Sequence, residues 1–507
     1  MKLLDRRRIS RNVAATLVQV FVTGIVFFLL YRYLYHRLGI AQIGVWSIVL
    51  ATTSVSRIGD LGLSAAVVRY VAKSLANGDQ VRAAQVIDTV AIALALLMAA
   101  VLVVAMPAFE SGLEFFVPFP NADLAKSILP YALISFWCAT IASVSLGGLD
   151  GCQRIDLRTG LTALSQIFYL GLTVIWVPKF GLKGVALAQT IQSLGLALAA
   201  RLVLRGQLTS LSVLPTQLRL EVLRDLFRYG VNFQFISLMA ALFDPITKGL
   251  LAKFGGLSSL GYYEMVNKLI LQARSAIVEA NRVVVPVVSI LKERKPERVK
   301  ELFLVTYRTI FFISIVFYAC VGALMPSISL LWTGTFQIAL VQFGLLLASG
   351  WFINTLIGPA YFANLGSGEL RDNVTSHVII SSTTLIAGTL LGSLIGGVGV
   401  VLGAVLGISC GSVFLLWSYI KRGGLVWPAA IVPRGLLWLI ILSAAATLVS
   451  NAYAYTFATQ VSPLKVIVVG SMCSASVVVY GWFHPIRKDM LRWPKRRGTE
   501  SVEEDID

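Results

Sequence analysis

Leu38-Gly39-Ile40-Ala41-Gln42-Ile43-Gly44-Val45-Trp46 and Gly255-Gly256-Leu257-Ser258-Ser259-Leu260-Gly261-Tyr262-Tyr263 are two copies of one pattern, 217 residues apart. Each runs glycine, an apolar residue, two small or polar residues, an apolar residue, glycine, and a bulky pair that ends in an aromatic. Carried deeper into the helix that follows, the same offset pairs Arg57 with Arg274. A charge in hydrocarbon costs at least roughly 2.5–3.5 kcal/mol, so it is kept mainly where it faces a wet cavity or a partner. Matched cations in two repeats point to one cavity built to hold an anion.

The composition demands a membrane. Of 507 residues, 57% are hydrophobic and 13% charged, and the mean hydropathy is +0.80. A soluble chain of this size could not hide so much apolar surface. The net charge of +18 reads as topology signal and contact with anionic membrane lipid, so no nucleic acid is expected as a partner. Five cysteines are scattered singly, without a CxxC pair, and imply neither a disulfide framework nor a metal site. The basic start Arg6-Arg7-Arg8 leads into an apolar run that is too long, and too striped with polar residues, for a cleaved signal peptide; it reads as a retained first helix.

Fourteen apolar stretches read as transmembrane helices, at 12–34, 40–64, 84–107, 126–148, 159–177, 183–204, 229–252, 260–288, 303–325, 336–362, 374–394, 398–420, 432–451 and 463–484. The expected fold is therefore an all-α polytopic membrane protein of about 14 transmembrane helices, two parallel six-helix bundles plus two C-terminal helices. Lys and Arg alternate with the loops: Arg69, Lys73 and Arg82, Arg154 and Arg158, the 292–300 run and the 487–497 run all fall on one side, which predicts both termini inside. The expected boundaries are 1–205 for the first bundle, 206–228 for a linker, 229–420 for the second bundle, 421–490 for helices 13 and 14, and 491–507 for a polar tail. From Pro215 the linker reads as a short amphipathic helix lying in the interface. A second anchor supports the repeat: Gly181-Leu182-Lys183-Gly184 and Gly396-Gly397-Val398-Gly399 open equivalent helices 215 residues apart.

The eighth helix carries the richest polar signal. Glu264, Lys268, Gln272, Ser275, Glu279 and Arg282 fall on one arc, flanked by Asn267, Arg274 and Asn281, and so polar a surface cannot face lipid. Arg274 and Lys268 are read as cavity-lining cations, with Arg282 and Glu279 at the wet end. On the seventh helix Asp244 and Lys248 share a face at i,i+4 around Pro245. Two readings stand: a hinge with ion coupling, or a self-neutralising pair beside a structural kink. Arg57 and Asp60 lie i,i+3 near the inner end of the second helix, where Arg57 either lines the cavity or snorkels to water. Asn12, Thr16, Gln19 and Thr23 stripe the first helix, either to meet a sugar or to glue helices. Asn354, Pro359, Ser376, His377 and Ser381 are equally open. No catalytic constellation is present: the three histidines are far apart in sequence, and no GxxxxGK[ST] loop occurs. The chain is read as neither an enzyme nor a holder of any cofactor.

Several segments resemble the multidrug/oligosaccharidyl-lipid/polysaccharide (MOP) exporter superfamily, and within it the Wzx-type oligosaccharide flippases. They include Gly59 to Tyr70, Gly148 to Arg154, Phe180 to Ala186, Leu226 to Gly230, Leu260 to Tyr263 and Val285 to Ser289, spread over about residues 10–420. The resemblance implies alternating-access transport of an undecaprenyl-diphosphate-linked glycan across the bacterial inner membrane, coupled to a proton or sodium gradient. It implies a diphosphate site of Arg57, Arg274 and Lys268, coupling or gating by Asp244, Lys248, Glu264 and Asp60, and a glycan lining of Asn12, Thr16, Gln19, Asn267 and Gln272. A polysaccharide polymerase and glycosyltransferases are the implied partners. The related lipid II flippases also have fourteen helices, the last two making a lipid groove. A lipid II-type flippase and a drug or cation exporter of the same fold are the alternatives, with a membrane glycosyltransferase behind them.

Overall fold

The computed structural model describes residues 6–54, 63–282, 284–295, 297–424, 436–457 and 462–485. Among these every regular element is helical. The contacts divide the chain into two compact units, Met1–Ala273 with Gly388–Val400, and Arg274–Ala387 with Val401–Asp507.

The first unit holds α1 (Arg6–Leu38), α2 (Ile40–Ser54), α3 (Leu63–Ala76), α4 (Gln80–Phe116), α5 (Asn121–Gly151), α6 (Ile155–Phe180), α7 (Leu182–Arg205), α8 (Leu220–Leu250) and the start of α9 (Gly256–Asn281). Its helix α5 packs on α4 and α7, and α6 on α7 and α1, around a core that includes Val71, Ile87, Leu94, Val144 and Leu204. The second unit holds the rest of α9, α10 (Val284–Arg294), α11 (Glu297–Thr333), α12 (Ile338–Leu356), α13 (Gly358–Ser367), most of α14 (Arg371–Gly423), α15 (Leu437–Phe457) and α16 (Pro463–Phe483). Here α11 packs on α12, α15 and α16, over a core with Phe303, Tyr307, Phe311, Leu356 and Leu415. Large apolar side chains such as Phe21, Val104, Leu448, Met472 and Phe483 are exposed, which is stable only against hydrocarbon. Ten of the described helices are long and apolar enough to cross a membrane.

Each of the fourteen apolar stretches coincides with helix in the described residues, but several are subdivided. The stretch 260–288 breaks after Asn281, and 336–362 breaks at Ile357 before Pro359. The two breaks touch: a Cβ on Gly358 would lie 3.1 Å from Asn281 Nδ2. The division at Gly396-Gly397 is a break in α14, with Ile395 and Gly396 out of helical geometry.

The amphipathic helix expected from Pro215 does not stand alone: from Leu220 its residues are helical, but as the start of α8. Residues 207–219 carry no helix, and α8 starts at Leu220 and runs unbroken to Leu250. The linker is ordered by side chains of the first unit instead. Arg201 Nε donates to the carbonyls of Ser212 (3.0 Å) and Val213 (3.3 Å) and its guanidinium pairs with buried Asp88. Asp88 accepts from Thr216 N at 3.3 Å and Thr89 Oγ1 from Arg219 N at 3.2 Å. Satisfying backbone groups with buried side chains removes the need for a helix.

The two anchors of the repeat recur in backbone geometry. Gly39 and Gly256 both sit at left-handed φ, +81° and +76°, where a side chain would be strained. Just beyond them α2 and α9 cross at near backbone contact. A Cβ on Gly44 would lie 2.0 Å from Leu257 O, and one on Gly261 would lie 2.3 Å from Ile40 O. Gly44 and Gly261 are repeat mates, as are Ile40 and Leu257, so the contact is reciprocal, as across a local two-fold. At the second anchor, Gly181 has φ +56° and ψ −135°, and Gly396 has φ +64° and ψ −143°. Three residues on, a Cβ on Gly184 would lie 2.7 Å from Trp176 O, and one on Gly399 would lie 2.0 Å from Leu391 O.

Candidate functional site

In the first unit α8 carries Asp244 and Lys248, α9 carries Glu264 and Lys268, and the four form one chain of charge. Lys248 Nζ lies 2.9 Å from Asp244 and 2.8 Å from Glu264, so the i,i+4 pair expected from the spacing forms, with a second carboxylate added. Lys268 Nζ stands 3.7 Å from the other Glu264 oxygen. Glu264 is fully buried, 0% exposed, and Lys248 is 3% exposed. Pro245 lies within α8, which widens to a π-turn at Leu251–Gly255.

Two donors from the first repeat complete the cluster. Tyr31 OH donates to Glu264 Oε1 at 3.2 Å and Ser47 Oγ to Oε2 at 2.8 Å. Ser47 stands 217 residues before Glu264, and the same offset carries Lys248 to Tyr31. Two repeat-equivalent pairs, Ser47 with Glu264 and Tyr31 with Lys248, thus meet in one cluster. Nothing local in the sequence marks Tyr31 and Ser47; the 217-residue offset that pairs the arginines leads to both.

In the second unit Arg274 has a different environment. Its Nη2 donates to Asn354 Oδ1 at 2.6 Å and its Nε to Thr355 Oγ1 at 3.1 Å. The guanidinium carbon lies 4.9 Å from the centroid of the Trp351 ring, a cation–π distance. Thr355 also meets Tyr318 OH at 2.9 Å. Among the described residues no carboxylate pairs with Arg274. Tyr318 also lines an apolar cavity of about 520 Å³ between α11, α12 and α15, with Phe311, Ile315, Leu345, Phe352 and Thr447. Of these residues only Asn354 had been singled out in the sequence. Trp351, Thr355 and Tyr318 read as ordinary helix residues until the fold brings them to Arg274.

The other expected site residues are dispersed. Arg57 and Asp60 lie outside the described residues. Gln272 Nε2 donates to the Val20 carbonyl of α1 at 2.9 Å, and Asn267 is buried. Thr16 Oγ1 donates to its own helix at Asn12 O, and Asn12 and Gln19 are half-buried. Glu279 and Arg282 pair with each other at 3.2 Å. Asn281 Nδ2 donates to Ile277 O at 3.2 Å.

A family model described as polysaccharide biosynthesis protein matches residues 9–292. With more than half of its length matched, the chain belongs to the polysaccharide biosynthesis protein family. No curated protein matches the sequence. Among solved structures it is similar to the lipid II flippase MurJ in an inward closed conformation, with TM-score 0.70 and 13% identity, covering 94% of this chain and 99% of that one. It is also similar to an inward-facing multidrug resistance MATE family transporter of the MOP superfamily, with TM-score 0.67 and 16% identity over 81% of this chain and 98% of that one. A MOP superfamily transporter from Pyrococcus furiosus, whose binding pocket has reversed polarity, matches with TM-score 0.56 and 15% identity over 83% and 96%. At these identities the likeness is one of fold: the chain has the fold of MOP transporters.

Proposed function

We propose that this chain is a flippase that carries an undecaprenyl-diphosphate-linked oligosaccharide across the bacterial inner membrane by alternating access, with both termini cytoplasmic. It transports rather than catalyses. The observation that carries the reading is Arg274, a cation inside a helical bundle that no carboxylate among the described residues neutralises. Such a charge is stable where an anion completes it. The apolar cavity walled by Tyr318 suits a polyprenyl tail. Arg57 and Lys268 are the further cations assigned to the diphosphate. Asn12, Thr16, Gln19, Asn267 and Gln272 are assigned to the glycan lining.

Asp244, Lys248 and Glu264 are assigned to gating and ion coupling, with Asp60 beside them and a proton or sodium gradient as the energy source. Their arrangement supports a low-cost gate. The charges compensate one another within the second repeat, and among the described residues Tyr31 and Ser47 are the donors that reach Glu264 from the first. When α1 and α2 part from α8 and α9, two neutral hydroxyl donors leave Glu264, and Lys248 stays with both of its carboxylates.

A drug or cation exporter would need carboxylates open to its substrate, whereas Asp244 and Glu264 both already bind Lys248. A lipid II-type flippase uses the same chemistry with a different glycan. A polymerase and glycosyltransferases then act before and after this step.

The test is complementation. Cells that depend on this chain and carry Arg274→Ala are expected to lose most surface glycan and to accumulate the lipid-linked precursor. Wild-type export by both Arg274→Ala and Arg57→Ala sinks the reading.

A further inference from the structure

The surroundings of Arg274 fix more than its position. A guanidinium has five N–H donors, and the Nε/Nη2 edge is one of the two forks with which it grips an oxyanion. That edge is consumed by Thr355 and Asn354. Each acceptor is in turn locked. The Thr355 hydroxyl donates to Trp351 O at 2.7 Å, so its remaining capacity accepts from Arg274 Nε and from Tyr318 OH. The Asn354 amide donates through Nδ2 to Ser412 Oγ at 2.9 Å, which turns its oxygen toward Arg274. Trp351 covers one face of the guanidinium. Among the described residues no hydrogen bond takes the end-on fork, Nη1 with the second hydrogen of Nη2, which is left for a ligand.

Every one of these partners is neutral. A carboxylate at position 354 would hold the guanidinium equally well and cancel its charge. We propose that Asn354, Thr355 and Trp351 are positioning residues that aim the end-on fork of Arg274 at the substrate, and that the neutrality of Asn354 keeps this cation available to an anionic headgroup. This rests on the flippase reading above and adds to it the residues that prepare the anion receptor.

Asn354→Asp is the discriminating variant. It is isosteric, keeps an acceptor toward Arg274, and lets Ser412 donate where it now accepts. The full-length purified protein is titrated with farnesyl diphosphate, a short prenyl diphosphate, and its melting temperature is measured in parallel. Asn354→Asp is expected to weaken binding at least about tenfold, as Arg274→Ala does, while its melting temperature stays level or rises. A purely structural asparagine would give the reverse, binding retained or lost only with stability. Thr355→Val, which frees the Nε edge, is expected to bind about threefold to tenfold more weakly. Wild-type affinity in Asn354→Asp overturns the inference, as does wild-type affinity in Thr355→Val should Asn354→Asp fail to fold. If Arg274→Ala itself binds as wild type, the flippase reading falls along with it. Loss in Arg274→Ala with full binding in Asn354→Asp removes only the positioning role.

Discussion

Glu264 and Arg274 stand ten residues apart on one helix and treat charge in opposite ways. Glu264 is fully buried and surrounded by donors: Lys248, Tyr31 and Ser47 at hydrogen-bonding distance, and Lys268 slightly farther. Among the described residues Arg274 is held by neutral groups alone, Asn354, Thr355 and the Trp351 ring. A buried charge with partners within the chain has its compensation already in place, and removing one partner exposes the others. A charge fixed in place but left without a counter-ion costs stability, and it persists for something outside the chain.

The largest effect that would test this contrast is at Lys248. Lys248→Met takes the strongest partner from a fully buried carboxylate and is expected to cost about 3–5 kcal/mol, read as a large drop in melting temperature or loss of folded protein. Adding Glu264→Gln should recover much of it. A stable single variant would mean that Lys268 and the hydroxyls suffice. Ser47→Ala removes one donor and leaves the rest, so a loss of about 1–2 kcal/mol is expected. Because Ser47 reaches across the repeats while the ion pairs do not, it should also raise the accessibility of a cysteine placed at Ala41 to a membrane-impermeant thiol reagent. Unchanged labelling would count against the gate. The smallest stability effect is expected at Arg274. In Arg274→Met, relief of an uncompensated cation, about 2.5–3.5 kcal/mol, roughly offsets two orphaned acceptors at about 1–3 kcal/mol each. The melting temperature should lie near wild type while transport is lost. A collapse in stability like that of Lys248→Met would erase the distinction between the two regions.

Much of the fold was legible because its signals are local and repeated. Apolar length marked the helices, and Gly39, Gly181, Gly256 and Gly396 marked their starts, since each takes a positive φ that other residues avoid. The linker was legible in half: Val222, Leu223 and Leu226 have helical spacing and are helical in α8, whereas Arg201, Asp88 and Thr89, distant in sequence, supply the hydrogen bonds that hold the part before Leu220 out of a helix. In the site, Asp244 and Lys248 were legible as i,i+4 neighbours. Their third member, Glu264, lies on another helix and pairs with Lys248 only through folding.

By itself the sequence determined that this is a polytopic helical protein of two related halves, because hydropathy, loop charge and glycine placement act over a few residues and recur at a constant offset. It also singled out Arg274 as a charge in need of a reason. Only the tertiary structure decided which charges are already satisfied. Whether an ionised group in a membrane protein is a structural strut or a receptor depends on what stands within about 3 Å of it. For Glu264 and Arg274 those neighbours come from helices tens to hundreds of residues away.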